Sequence, residues 1–503
     1  MTAPARAAMA FDEYRQYDAT ALADLVRRNE VTPAELLETA IARAEAVNPQ
    51  LNTIVTPLYD RGRDMANKLP GVGPFRGVPF LLKDLELDWE GTPLKLGCTG
   101  YKNFVSTIDS EVVTRLKQAG LVLFGKTNTP EFGLTPYTEA TLYGPARNPW
   151  NTTYSPGGSS GGSAVAVSAG IVPMASASDG GGSIRIPASC CGLFGLKPSR
   201  GRVPLGPRNG EMWSGAVVTH ALTRSVRDSA ALLDAISGTM PGEPYFLPVS
   251  GRSFLEESLR EPGQLRIGFS TETLIPSQPV HPECIKAVQD AAKLLESLGH
   301  IVEEIKLPYN KTVLTEAFFT MVLSETAASL RELGDYLGRP TRRSDVELNT
   351  WALARMAEAF TGTDYAYQKR RWNGLSRSMA ELHDHYDVIL TPTLPRPPLA
   401  IGEFQNKPAE DRILKILDTL GALKRLKGGK VMDQLAEKAF GYISFTGIAN
   451  MTGQPAMSMP LHWSAEGLPI GTMFTAMLGD EATLFRLAGQ LEQAKPWFDL
   501  VPS

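Results

Sequence analysis

The chain of 503 residues is long enough, at roughly 150 residues per domain, for one large domain or up to about three small ones. Apolar residues make up 43% and charged residues 21%, which excludes long disorder, collagen-like repeats and a disulfide-stapled miniprotein. The 50 Lys and Arg against 54 Asp and Glu leave a net charge of −4, so no overall positive field is available to collect nucleic acid or an acidic lipid surface.

In chain order, Met1 to Asp18 lacks the 7–15-residue apolar stretch of a secretory signal, so a cytoplasmic location is expected. Asp18 then caps a helix whose apolar positions are Leu22, Leu25 and Val26. Thr32-Pro33-Ala34-Glu35 places a cap, a first-turn proline and a capping-box glutamate before Leu36, Leu37, Ala40 and Ile41. From Val78 short apolar runs alternate with helical patterns: Val78–Leu82, a helix over Glu111–Ala119, Leu121–Phe124, a helix from about Ser163 to Ala169, and Val172–Ala177. This rhythm predicts an α/β fold in which helices cover a largely parallel sheet. Ala164 to Ser178 is weakly polar but falls short of the ~20 residues needed to cross a bilayer, so no membrane span is expected. Later, Leu265–Phe269, Ile301–Ile305, Val388–Leu390 and Leu468–Phe474 read as strands, with helices through Ile285, Val288, Ala292 and Leu295 and over Asp480–Leu491. No linker or repeat divides the chain, which is read as one domain over 1–503, with N-terminal helices at 10–50, a core at 77–200 and a helical segment at 309–438.

Four cysteines, Cys98, Cys190, Cys191 and Cys284, are too few and too irregular for a disulfide framework or a Cys-rich zinc site. His383 and His385 lack a metal-ligand spacing, and Cys190 and Cys191 read as small buried side chains rather than nucleophiles. No metal and no cofactor is expected. Two glycine-serine clusters remain, Pro156 to Ser163 and Asp179 to Arg185. Neither carries the lysine of a phosphate-binding P-loop. Gly158-Ser159-Ser160-Gly161-Gly162 matches the G-x-S-x-G elbow of histidine-dependent esterases, with Ser160 as nucleophile, but no histidine has persuasive neighbours. In the second cluster, Ser183 follows three consecutive glycine amides, a geometry that can cradle an oxyanion beside a nucleophile.

Several separated segments carry a resemblance. Gly77-Val78-Pro79-Phe80-Leu81-Leu82-Lys83-Asp84, Gly125-Lys126-Thr127-Asn128-Thr129-Pro130-Glu131-Phe132 and Asn148-Pro149-Trp150 precede the Ser159 loop. Gly192-Leu193-Phe194-Gly195-Leu196-Lys197-Pro198 and Asn450-Met451-Thr452-Gly453-Gln454-Pro455-Ala456 follow the Ser183 turn, and Ser159 and Ser183 are 24 residues apart. In this order the segments resemble the amidase signature family over most of the chain. The resemblance implies a mixed, largely parallel twisted sheet sandwiched between helices and, on it, a Ser–cis-Ser–Lys triad: Ser183 as nucleophile, Ser159 after a cis peptide bond as bridge, and Lys83 as base. It also implies an oxyanion hole of the Gly180, Gly181, Gly182 and Ser183 amides, although Gly180 stands where many relatives carry a larger residue. Asp179 and Arg185 are expected to brace the turn, and Lys126 and Lys197 to have surface or bracing roles.

The expected activity is hydrolysis of amide C–N bonds through an acyl-enzyme, on a small-molecule amide or carbamate, with a homodimer as a candidate assembly. The alternatives are the glutamine-amidase subunit of a tRNA-dependent amidotransferase and the histidine-dependent esterase on Ser160. The 309–438 segment carries Phe318, Phe319, Met321, Trp351, Met356, Phe360, Tyr365, Tyr367 and Trp372. Most are expected to pack the helices, with a few left to form an apolar pocket. In this respect the chain is similar to family branches that hydrolyse nylon oligomers, anilides and urethanes.

Overall fold

The N-terminal helices begin where polar side chains can take up free amide groups. The Asp18 carboxylate accepts from the Ala21 N–H and opens the Ala19–Arg27 helix, and Thr32 with Glu35 forms a full capping box ahead of Pro33–Leu51. The computed structural model describes residues 9–248, 251–272, 275, 278–425, 427 and 440–502. Residues 1–8 of the N-terminal stretch, and 426 and 428–438 of the expected helical segment, lie outside the described residues.

Eleven strands among the described residues join in one sheet. They are β1 (Ile54–Pro57), β2 (Pro79–Lys83), β3 (Val122–Thr127), β4 (Met174–Asp179), β5 (Phe194–Lys197), β6 (Val218–Thr223), β7 (Arg266–Phe269), β8 (Ile301–Glu304), β9 (Val388–Pro392), β10 (Ala456–Trp463) and β11 (Pro469–Ala476). Across the sheet the order is β1-β3-β2-β4-β6-β5-β10-β11-β9-β7-β8. The α/β class and the mixed sheet are as expected, but the sheet is not largely parallel. β2 runs parallel to β3 and β4, and β7 to β8 and β9. The other six neighbouring pairs are antiparallel. Three strands of the antiparallel middle were not expected from the sequence. β5 is four residues with a glycine, and β6 and most of β10 are buried on both faces. Burial on both faces removes the polar alternation by which a strand is read.

The site is positioned by β2, β3 and β4. Phe80, Leu81 and Leu82 are fully buried, and pairing on both sides leaves β2 no free edge. Because β2 and β4 are parallel neighbours, their carboxyl ends come side by side, the place where ligands bind in sheets of this kind. The Gly161–Ser168 helix rests on the end of β3: the Gly162 N–H donates to the Asn128 carbonyl at 3.1 Å, and Thr127 Oγ1 and Ser163 Oγ are 2.7 Å apart.

On another side of the site lies the Lys311–Leu337 helix, which is long and apolar enough to cross a membrane by length and composition alone. Its apolar residues are used in packing. Leu314, Phe318 and Met321 join Trp372, Leu375 and Met379 of the Gly362–Leu382 helix, and Leu323 meets Ala352 and Met356 of the Leu348–Ala357 helix.

A Cβ at Gly162 would fall 2.3 Å from Asn128 N, so only glycine lets the helix start and the strand end approach this closely. Gly162→Ala should therefore lower stability by about 1–3 kcal/mol in urea unfolding, since overpacking forces a backbone shift. A variant as stable as the wild type would contradict this packing.

Candidate active site

Lys83, the last residue of β2, is 1% exposed. Its Nζ stands 2.8 Å from Ser159 Oγ and 2.8 Å from Ser178 Oγ. Burial pulls the ammonium pKa down to about 8, against the opposing pull of the Glu86 and Asp179 carboxylates. Its own N–H donates to Ser176 Oγ at 2.7 Å. Ser159 sits in the loop before the Gly161–Ser168 helix, where Thr129 Oγ1 donates to its carbonyl at 3.0 Å and the Gly158–Ser159 peptide is cis.

The turn after β4 is built on a buried ion pair. Arg185 donates to Asp179 through Nε at 3.0 Å and Nη2 at 2.9 Å, and both side chains are 0% exposed. Burial alone would raise the Asp179 carboxyl. The Arg185 charge and hydrogen bonds, with Asn450, overturn that and hold it at about 2. The same carboxylate accepts from the Gly182 N–H at 2.7 Å and the Ile184 N–H at 3.1 Å. This corrects the expected four-amide oxyanion hole, because the Gly182 N–H is turned to Asp179. Gly180, Gly181 and Ser183 remain on the cavity wall. Gly182 has φ +132, and a Cβ there would stand 2.3 Å from Thr446 Oγ1, so the turn admits glycine only. At Gly180 a Cβ would lie 3.2 Å from the Trp213 ring, so its absence leaves that ring uncovered.

The other candidates are placed elsewhere. Ser160 is fully buried and its Oγ donates to the Ser178 carbonyl at 3.2 Å. None of the six histidines lines the cavity that holds Ser159 and Ser183. Burial pushes the Cys190 thiol up to about 12 and raises the Cys191 thiol as well, which leaves both inert at neutral pH. Lys126 and Lys197 are 0% and 1% exposed, so a surface role is excluded. Their Nζ atoms donate to the Leu87 carbonyl at 3.1 Å and the Pro198 carbonyl at 2.9 Å. Among the described residues, no group of three or more His, Cys, Asp or Glu is placed to hold a metal ion.

Sequence reasoning missed Ser178 and Glu86. The signal for Ser178 lay in β4 itself, Met174-Ala175-Ser176-Ala177-Ser178-Asp179. Two serines two residues apart share a strand face, and both contact Lys83.

Ser159, Ser178, Ser183 and Glu86 open onto one cavity of about 670 Å³. Its apolar walls include Phe132, Trp213, Phe318, Phe319, Met356 and Phe440. Of the nine aromatic and methionine residues expected to divide between packing and pocket, Phe318, Phe319 and Met356 line it. Trp372 is buried, its indole N–H donating to the Met451 carbonyl, and Tyr367 is exposed.

A family model described as amidase matches residues 35–485. The 6-aminohexanoate-cyclic-dimer hydrolase of Paenarthrobacter ureafaciens is 37% identical over 491 residues, 95% of each chain. A solved structure of 6-aminohexanoate cyclic dimer hydrolase complexed with substrate gives a TM-score of 0.87 at 36% identity, covering 97% of this chain and 99% of that one. A bacterial aryl acylamidase of the amidase signature enzymes gives 0.85 at 27% identity, covering 96% and 98%. With a match over nearly the whole length joined to this arrangement of sheet and glycine-serine loops, the chain belongs to the amidase signature family of hydrolases acting on amide C–N bonds.

Proposed function

We propose that the enzyme works through an acyl-enzyme on Ser183, with Ser159 as proton relay and Lys83 as base, and that its substrates carry an aryl or medium-chain apolar group. The observation that carries this reading is the 2.8 Å approach of Lys83 Nζ to Ser159 Oγ on the wall of the cavity that also holds Ser183. A serine hydroxyl is a weak nucleophile and needs a neutral base. A lysine with pKa near 8 supplies one at neutral to alkaline pH. Ser159 can pass the proton because one hydroxyl donates and accepts at once.

In acylation, the bond from Ser183 Oγ to the carbonyl carbon forms and the C–N bond breaks. The Ser183 proton passes through Ser159 to Lys83 and returns by the same route to the leaving nitrogen. The amides of Gly180, Gly181 and Ser183 are the donors assigned to the oxyanion, each worth about 3–4 kcal/mol of barrier. Water then attacks the acyl-enzyme, Lys83 takes its proton through Ser159, and that proton returns by the same route to Ser183 Oγ as the Ser183–acyl bond breaks to release the acid. With an aryl carbamate, attack that releases the alcohol leaves a carbamoyl-enzyme, which water hydrolyses to a carbamic acid that loses CO₂; attack that releases the amine leaves a carbonate ester on Ser183, which water hydrolyses to a carbonic acid half-ester that loses CO₂.

Support for the substrate class comes from the apolar walls and from the activities for which the relatives are named, on a cyclic amide dimer and on aryl amides. We infer higher kcat/KM on anilides, aryl carbamates or the 6-aminohexanoate cyclic dimer than on acetamide or glutamine. Kinetics with glutamine as the preferred substrate would favour the amidotransferase reading and refute this one.

A fluorophosphonate should label Ser183, and Ser183→Ala should abolish both labelling and turnover. An adduct mapped by mass spectrometry to Ser160 or Cys191 would overturn the assignment. Turnover should fall along a one-proton limb as pH drops below about 8, because Lys83 becomes charged and can no longer accept a proton. Lys83→Met should retain the fold, checked by circular dichroism, and lower kcat by about 10²–10⁴-fold. Unchanged turnover would place the base elsewhere.

A further inference from the structure

The Lys311–Leu337 helix lays one face along the cavity. Phe318, Val322, Glu325, Ser329, Glu332 and Tyr336 all line it, spaced by three or four residues as neighbours on a helix surface are. This face begins at the Ser183 turn, where a Cβ on Gly181 would lie 3.1 Å from Phe318 Cζ. At a rise of about 1.5 Å per residue, Glu325 stands about 10 Å along the axis from Phe318, and Glu332 about 10 Å beyond that. Apolar wall therefore borders Ser183 first, and carboxylates follow.

These carboxylates are oriented without being neutralised. The Tyr365 hydroxyl donates to Glu325 Oε1 at 3.0 Å and the Tyr245 hydroxyl to Glu211 Oε2 at 2.6 Å, and Glu211 lines the cavity as well. The charged groups acting on Glu325 are Glu211, Glu332 and Lys369. Lys369 donates to the Ser214 carbonyl at 2.6 Å, and burial with the Arg200 charge draws it down to about 8. Arg208, the one cationic residue lining the cavity among the described residues, is committed to Asp88 through Nε at 3.0 Å and Nη2 at 2.8 Å. A separate observation comes from the inner end. Glu86 lines the same cavity, and its Oε2, closed to solvent, has no hydrogen-bond partner among the described residues. A carboxylate oxygen shut away from water calls for an N–H donor. Lys83 acts on Glu86 but is itself drawn toward its neutral form. Glu86, Glu211, Glu325 and Glu332 thus face the cavity with no ion pair among the described residues.

We propose that the cavity selects amides carrying a protonated amine at the far end of an apolar arm, with Glu325 as the specificity-determining residue that receives the ammonium and Glu211 and Glu332 adding to its field. The spacing along the helix sets the length of the arm. An ammonium donates to a carboxylate at about 2.8 Å, which leaves about 7 Å to span. An extended chain covers that in about six bonds, at roughly 1.2 Å each. This deepens the function proposed above and rests on its assignment of Ser183 as nucleophile.

The test compares the 4-nitroanilides of hexanoic and 6-aminohexanoic acid, with the corresponding butanoic pair, as protectants of Ser183 against a fluorophosphonate in the intact enzyme at about pH 8, where the amines are charged. A hexananilide with a 4-aminomethyl group, set against its 4-methyl twin, places the charge on the leaving side instead. In wild type the six-carbon amine, or the amine on the leaving side, should protect at about 10–100-fold lower concentration than its uncharged twin. The butanoic pair should differ less. In Glu325→Gln, which can still accept from Tyr365, the advantage of the charged member should fall about tenfold. The ratio within a pair is the readout, and a general loss of packing or of catalysis does not move it. Equal protection by charged and uncharged members on both sides, a butanoic amine as favoured as the six-carbon one, or a ratio unmoved by Glu325→Gln overturns the proposal. If Glu325→Gln does not fold, wild type decides, since the advantage should shrink at about 1 M salt and a ratio indifferent to salt overturns the charge reading. Wild-type enzyme that is not labelled on Ser183 defeats the proposed function and this inference together. Labelled wild type with no preference for the charged members defeats only the role of Glu325.

Discussion

A lysine amine buried at the end of a sheet strand is the constraint on which the rest of the site depends. An ammonium group without water is costly, and the protein answers by easing Lys83 toward its neutral form. Desolvation by itself does not set Lys83, the proposed base, apart from two neighbours on the same sheet. Lys126 is just as buried and is also drawn down to about 8, and burial draws Lys197 down as well. Both donate to backbone carbonyls, which have no proton to give. Lys83 alone of the three faces serine hydroxyls. The chemistry follows from what stands opposite the amine, not from burial.

The second support is the ion pair beneath the Ser183 turn. A buried carboxylate tolerates low dielectric only when its lone pairs are filled, and Asp179 fills them with Arg185, Asn450 and the amides of Gly182 and Ile184. By drawing one amide of the loop inward, this pair fixes the path of the others, so Gly180, Gly181 and Ser183 lie against the cavity. The loop on the cavity wall is thus held by interactions beneath it.

In the function proposed, chemistry and substrate choice are carried by different parts of the molecule. Lys83, Ser178 and Asp179 sit on strand ends, and Ser159 and Ser183 on short loops tied to them. The apolar walls draw on helices that are added to the sheet, with Phe318, Phe319 and Met356 projecting from Lys311–Leu337 and Leu348–Ala357. Changes there can reshape the cavity while leaving the strand ends in place.

What could be read along the chain was local. Asp18 and the Thr32-Pro33-Glu35 cap announce their helices because the contacts that make them span three or four residues. The run ending in Lys83 and the serine after three glycines announce a strand and a special turn for the same reason. Joining Lys83 to Ser159, 76 residues away, took a resemblance to a family, since no local rule pairs them. The antiparallel middle of the sheet could not be read, because β5, β6 and β10 are short or buried on both faces and their partners lie far off in sequence. Nor could the turning of the Gly182 amide, the contact of Ser178 with Lys83, or the division of aromatics between cavity and interior. Each of these depends on which distant segments the packed sheet brings within hydrogen-bonding or van der Waals reach, a property of the folded chain rather than of any stretch of it.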